Sequence, residues 1–219
     1  MLLVADPCPS GEMIEALYAA ARASGVQLAV VNPDRYLPSR RLIREQLGGP
    51  LGEPGLIRLH RWEPAKPEQP AGLAEPLLRD LDTTLWLMRR RPDRVYAIGQ
   101  GTDGRYVQVH LGFPGGGMAL LDYDGRLPAG DGYQSLHVIA STGAAYADDH
   151  QNTQLLYRGG HPQAVRTEER VGQLAALAQE FIDGLRAGRD LSTEAEWRAV
   201  SVVAGAVRRS LAAGTAVAL

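Results

Sequence analysis

The sequence has a single cysteine, few aromatic residues and no long apolar run. Cys8 is the one cysteine among 219 residues, so an internal disulfide is excluded and a reducing compartment is expected. No stretch is apolar over the length that a membrane span needs. The apolar start, Leu2 to Ala5, follows no basic segment and is too short for a signal peptide. These features predict a soluble, cytoplasmic protein.

An excess of charge of one sign is also missing. The formal net charge is −2, and the one basic run, Arg89-Arg90-Arg91, is predicted to be the solvated end of a helix. We therefore expect no nucleic-acid partner. Asp148-Asp149-His150 could suggest a metal site, but adjacent side chains on an extended segment diverge. We expect no metal.

The stretch from Arg94 to Arg158 is predicted to form consecutive strands. Within Tyr106–Phe113 the apolar and polar side chains alternate, which places Val107 and Val109 on one face and His110 on the other. Short turns rich in Gly, Asp and Pro separate the strands, so sequence neighbours are expected to pair antiparallel. Helices predicted before and after this run would cover one face of the sheet.

The first residues predict a small βαβ unit. Leu2–Val4 and the nearly continuous apolar run 26–31 are predicted to be parallel strands. The helix between them has an apolar face made of Ile14, Leu17, Tyr18 and Ala21. The predicted fold class is α+β: a large, mostly antiparallel open sheet in residues 51–219, with helices on one face. Residues 1–50 are predicted to be a remnant of a Rossmann domain.

Five segments, in order along the chain, carry a resemblance to a known family. They are Leu2-Leu-Val-Ala-Asp-Pro7, Asn32-x-x-Arg35-x-x-Pro38, Leu51-Gly-Glu-x-Gly55, Asp82-Thr-Thr-Leu-Trp-Leu87 followed by Arg94-Val-Tyr-Ala97, and Phe181-Ile-Asp-Gly-Leu-Arg-Ala-Gly-Arg189. Together they resemble the C-terminal part of the glucose–fructose oxidoreductase, inositol dehydrogenase and rhizopine catabolism family. The resemblance implies the fold of NAD(P)-dependent sugar and polyol dehydrogenases.

The same resemblance implies that a nucleotide site is missing from this sequence. The family's dinucleotide domain opens with a strand, a glycine-rich loop and a helix, whereas this chain starts at what resembles the fifth strand. Gly99-x-Gly101-x-x-Gly104 has dinucleotide-motif spacing, but the residues from Arg105 onward are predicted to be a strand. A strand offers phosphate no helix N-terminus. We expect a hairpin turn here, and no NAD(P) or other cofactor.

The catalytic positions implied by the resemblance carry different residues here. The family's lysine falls on Asp6, its histidine on Arg79, and its carboxylate four residues earlier on Glu75. Hydride transfer needs a base for the hydroxyl proton, and an arginine stays protonated. Glu75, Arg79 and Asp82 share one helix face, which is either a surface ion-pair stripe or an altered pocket wall. If the alignment holds, Asp6 and Arg79 lie close together and could form a bidentate pair.

Three functions are compatible with these residues. The first is a ligand-binding or assembly subunit without NAD(P), with a small polar or sugar-like ligand. The second is a cofactor-independent isomerase, lyase or cyclase that uses Asp6, Glu75, Arg79 and Asp82 for proton transfer. The third is a dehydrogenase half that borrows a nucleotide domain from another chain. A buried carboxylate beside Arg79 with an open cavity would favour an enzyme, and a filled pocket would favour a scaffold.

Self-association, as a homodimer, is expected from two surfaces. In the family that the chain resembles, the exposed face of the large sheet pairs subunits. The strands of the βαβ unit also lack the strands that would flank them, and an open apolar edge invites pairing. Two-fold association is the commonest solution. The alternative covers are the Pro64–Pro76 loop and the C-terminal segment Thr215–Leu219.

Overall fold

Two sheets and five α-helices make up the part of the chain that the computed structural model describes, namely residues 2–4, 11–65, 73–100, 105–128, 130, 132–149, 153–159, 161–166, 172–189, 191 and 193–219. The elements are β1 (Leu2–Val4), α1 (Gly11–Ala23), β2 (Ala29–Val31), a 3-10 helix (Pro33–Tyr36), α2 (Pro38–Gln46), β3 (Pro54–Pro64), α3 (Glu75–Met88), β4 (Arg94–Gly99), β5 (Tyr106–Gly112), β6 (Met118–Leu127), β7 (Tyr133–Ala140), β8 (Ala144–Asp148), β9 (Thr153–Tyr157), β10 (Gln163–Arg166), α4 (Gln173–Ala187), α5 (Glu194–Ala213) and β11 (Val217–Ala218). None of the described helices has both the length and the hydrophobicity needed to cross a bilayer.

The N-terminal unit is the predicted βαβ arrangement. β1 and β2 pair in parallel, with Leu2 opposite Ala29, and the predicted apolar face of α1 is buried at Ile14 and Tyr18. β2 is shorter than predicted, because Gly25 ends α1 at φ +63° and the amide of Val26 still bonds back to that helix. Val26 is therefore in the turn and 47% exposed.

The large sheet confirms the predicted α+β class. Its nine strands run in the order β10-β9-β8-β7-β3-β6-β5-β4-β11, and every neighbouring pair is antiparallel except β3 and β6. The expectation that sequence neighbours pair is wrong at one point, since β3 lies between β6 and β7. The buried Ile57 and Leu59 of β3 fill the centre of the core, which the shorter outer strands could not do.

The glycine motif after β4 forms part of a hairpin, as predicted. β4 and β5 pair antiparallel with Gly99 opposite Val107, and the amide of Gln100 donates to the carbonyl of Tyr106 at 3.2 Å. A Cβ on Gly99 would lie 2.7 Å from that carbonyl oxygen, so glycine is required here by close backbone approach. Residues 101–104 of the motif lie outside the described residues.

The helices are divided between the sheet and the N-terminal unit. α3 and α5 pack on the sheet face that carries Val107 and Val109, as the alternation in β5 predicts. α4 does not cover the sheet as expected. Its Leu177 is buried against Val31 and Tyr36 of the N-terminal unit. An apolar helix face predicts that this face is buried, but it does not predict which element covers it.

The side chains of β2, expected to be uncovered, are buried within the chain. The indole Nε1 of Trp197 on α5 donates to the carbonyl of Val30 at 2.5 Å, while α4 packs against Val31. The C-terminal segment takes no part in this cover, because Val217 pairs with Val95 at the far edge of the large sheet. The expectation of an exposed apolar surface at β2 is therefore wrong.

Candidate functional site

The first turns of α3 bring together two of the predicted site residues. Glu75 and Arg79 form an ion pair one helical turn apart, and their side chains are 17% and 20% exposed. Asp6, the predicted partner of Arg79, lies outside the described residues, so that pairing stays a prediction.

Asp82, the third predicted residue on α3, is engaged elsewhere. Arg35 donates to it through Nε at 2.8 Å and through Nη2 at 2.5 Å, a two-point contact of the strong charge-assisted kind. Asp82 is 1% exposed, so it is no part of a surface stripe.

Asn32 completes this contact from the end of β2. Its Nδ2 donates to Asp82 Oδ2 at 2.8 Å and to the carbonyl of Arg79 at 2.9 Å. Its Oδ1 accepts from the amide of Asp34 and so caps the 3-10 helix. The segment from Asn32 to Arg35 therefore holds the N-terminal unit against α3. We call the four residues of this segment, together with Asp82, the Asn32 clamp.

A buried ionic cluster that the sequence analysis did not identify lies next to these residues. Arg61 on β3 is fully enclosed and donates to both carboxylate oxygens of Asp80, at 2.9 and 2.6 Å. It also donates to Asp34 at 2.5 Å. One signal was available: Arg61 follows Ile57 and Leu59 at a period of two, so the three side chains lie on one face of β3.

One guanidinium shared between two carboxylates sets their protonation. Burial alone would raise the pKa of Asp34, but the charge and hydrogen bond of Arg61 outweigh it, and that pKa is lowered. For Asp80 burial dominates, assisted by the negative charge of Asp34, and its pKa is raised despite Arg61. As pH falls, Asp80 is therefore the first of the two to take up a proton.

The cluster extends away from α3 through a second buried arginine. Arg40 lies 2.8 Å from Asp149, which also accepts from the hydroxyl of Ser39 at 2.6 Å. With its amide oxygen turned toward them, Gln134 accepts from both Arg40 and Arg61. We call Arg61, Asp80, Asp34, Arg40, Gln134 and Asp149 the Arg61 cluster. In the described ranges no group of three His, Cys, Asp or Glu side chains is arranged to hold a metal.

Solved structures of oxidoreductases have a fold similar to that of this chain, which confirms the fold-level resemblance predicted from the sequence. UDP-N-acetylglucosamine 3-dehydrogenase GnnA from Acidithiobacillus ferrooxidans is 23% identical, with a TM-score of 0.82 over 94% of this chain and 68% of that chain. An oxidoreductase from Agrobacterium radiobacter, in complex with NAD+, L-tartaric acid and magnesium, is 14% identical, with a TM-score of 0.81 over 99% and 72%.

A third similar structure is an oxidoreductase domain protein from Kribbella flavida, with 16% identity and a TM-score of 0.80 over 95% of this chain and 71% of that chain. No family model and no curated protein matches the sequence. At these identities the likeness establishes a shared fold.

Proposed function

We propose that this chain is a ligand-binding or assembly subunit built on an oxidoreductase fold, and that it does not transfer hydride by itself. The observation that carries the proposal is the pairing along α3, where each of three acidic side chains has an arginine partner. Glu75 pairs with Arg79, Asp80 with Arg61, and Asp82 with Arg35. A single cysteine suits the cytoplasm as its location.

A dehydrogenase of this class would need a group at the same place that can accept a proton. Arg79, at the position of the family's histidine, stays protonated and cannot do so. The Arg61 cluster joins β3 to α3 through buried ion pairs. These contacts support a scaffold over the cofactor-independent enzyme, which would need a carboxylate that has no arginine partner and faces an open cavity.

We expect no NAD(P) binding and no turnover. Titration of the protein into NADH should give no saturable change in NADH fluorescence at micromolar concentrations. Incubation with NAD+ and UDP-N-acetylglucosamine, myo-inositol or glucose should produce no NADH. GnnA from A. ferrooxidans, assayed alongside, is the positive control for the first substrate. Saturable binding would refute the proposal, and turnover that appears only with a second chain would favour the borrowed nucleotide domain.

The assembly role is supported by the open face of the large sheet. Aromatic and histidine rings form a continuous row there: His60 lies 6.0 Å from His137, His137 lies 5.1 Å from Tyr146, and Tyr146 lies 5.5 Å from Tyr157. Burial and the charges of His60 and Arg58 lower the pKa of His137, which keeps that ring neutral at physiological pH.

A second copy of this chain is the occupant that we propose for the face. The nine strands have two to eleven residues each; at about 3.3 Å per residue and about 4.8 Å between strands they present roughly 900 Å². That is comparable to the area each partner buries in a standard stable interface, about 800 Å². Met118 and Ile139, exposed by 58% and 46%, lie on either side of β3 on this face.

Light scattering at micromolar concentration should therefore give about twice the 23.6 kDa chain mass. I139E should reduce the mass to that of one chain, because a charge would be buried at the centre of the interface. L174E, on exposed α4 outside the face, is the matched control and should remain dimeric. A strictly monomeric wild type, or a dimeric I139E, would contradict this assignment.

A further inference from the structure

Arginines gather around Trp86, near the C-terminal end of α3. Two adjoining clefts of about 170 and 220 Å³ share Arg35 and Trp86 in their walls. Six arginines and four carboxylates line the two clefts together, which leaves an excess of two positive charges. We call this region the arginine cleft.

Two of the six arginines in the arginine cleft are paired with carboxylates. Arg35 is held by Asp82 and Glu196, and Arg41 pairs with Glu180. Arg90 donates to the backbone carbonyls of the loops beside it, which hold its side chain in place but leave its charge uncompensated.

Arg44 has no carboxylate partner among the described residues. Its guanidinium lies over the ring of Trp86, 5.3 Å from the centroid, and its Nη1 is buried without a hydrogen-bond acceptor there. Burial and the positive charges of Arg89 and Arg35 lower its pKa. A buried donor without an acceptor is costly, and an anion in the cleft would supply the acceptor.

Arg89, like Arg44, has no carboxylate partner in the described part of the chain. It ends α3 in the left-handed conformation at φ +54°, and no other non-glycine residue described here has a positive φ. Glycine is favoured at such a position, and strain of this kind often accompanies a functional role. The side chain donates to the carbonyl of Leu47 at 3.2 Å. Its Nη1 lies so close to Gly48 that a Cβ added to that glycine would be only 2.9 Å away.

We infer that the arginine cleft binds a small ligand through a phosphate group. The guanidinium groups of Arg44 and Arg89, neither paired with a carboxylate among the described residues, match the charge of a phosphate monoester, about −1.5 to −2 at neutral pH, better than the single charge of a carboxylate. Arginine forks suit phosphate oxygens. Each cleft is smaller than the roughly 300 Å³ of pockets for drug-sized ligands, so the ligand is a small phosphate ester rather than a dinucleotide. The inference is independent of the proposed function.

The test is titration of the full chain with inorganic phosphate and with glycerol 3-phosphate, followed by thermal unfolding and tryptophan fluorescence. Wild type should show a saturable rise in Tm that sodium chloride at equal ionic strength does not reproduce. Fluorescence should change in wild type and not in W86F, because Trp86 lies in the cleft. Acetate should bind at least about tenfold more weakly than phosphate.

Two variants decide whether Arg44 and Arg89 carry the binding. R44Q should weaken phosphate binding about tenfold or more, since a charge-assisted hydrogen bond is lost. R208Q removes the same charge from an exposed position on α5 and should bind as wild type does. R89G gives the helix end its favoured residue, so the apo protein should remain folded while binding weakens. No saturable response in wild type, equal binding by R44Q, or preference for acetate would overturn the inference.

Discussion

Replacing Arg61 with methionine is expected to lower the free energy of unfolding by about 3–5 kcal/mol at pH 7, because the change leaves buried carboxylates without their partner. Asp80 would lose both of its guanidinium contacts and Asp34 would lose one. Urea denaturation followed by circular dichroism measures the loss, and an unchanged m-value would show that the midpoint shift reports stability alone.

The double variant R61M/D80L distinguishes the destabilisation caused by an unpaired buried carboxylate from the destabilisation caused by lost packing. Well-packed apolar replacements of buried ion pairs are often neutral or stabilising, so the double variant should be clearly more stable than R61M. Arg94, exposed at the start of β4, provides the control R94M, which should change stability by no more than about 0.5 kcal/mol. An R61M protein as stable as wild type would show that the cluster contributes nothing to the fold.

Replacing Asp82 with alanine is expected to cost about 2–3 kcal/mol, less than the loss of Arg61. Arg35 keeps Glu196 as a second partner at 3.3 Å, which makes the loss of folding free energy smaller than is usual for a broken buried ion pair. Asn32 would lose one acceptor but keep the carbonyl of Arg79. The measurement is the urea midpoint together with limited trypsin digestion.

Because the Asn32 clamp joins the N-terminal unit to α3, D82A should be cleaved faster than wild type within the N-terminal unit. D82N keeps the shape of the side chain and one acceptor oxygen, so its cleavage rate should lie between those of D82A and wild type. The control is E75Q, which alters a partly exposed helix pair worth about 0.3–0.5 kcal/mol. Equal digestion of D82A and wild type would mean that the apolar contacts of α4 and α5 hold the unit without the clamp.

Local patterns predicted the parts of the fold that depend on neighbouring residues. The alternation in β5 gave its buried face, and the strand predicted from Arg105 onward identified the Gly99 motif as a hairpin. The apolar spacing of α1 placed Ile14 and Tyr18 in the core. In each case the period of two or of about 3.6 is a property of a single element.

Features that join distant residues were not accessible in this way. The place of β3 between β6 and β7 depends on pairing across long separations, which no local pattern encodes. The two carboxylates that accept hydrogen bonds from Arg61 lie 19 and 27 residues away, so the arginine could be placed from its strand but these two partners could not. Asp82 was found as a candidate through the resemblance, whereas its contact with Arg35 became visible only in the structure.

The central position of β3 makes it the link between two groups of strands in the large sheet. β4, β5 and β6 form one meander and β7 to β10 another, and in the described residues β3 alone is hydrogen-bonded to both. β3 is synthesised before either meander, yet its two edges can be paired only after β6 and β7 exist. Each meander can form by local contacts, but joining them requires a long loop closure, and such closures slow folding. Cooperative folding of the whole sheet therefore depends on β3, a single strand of eleven residues.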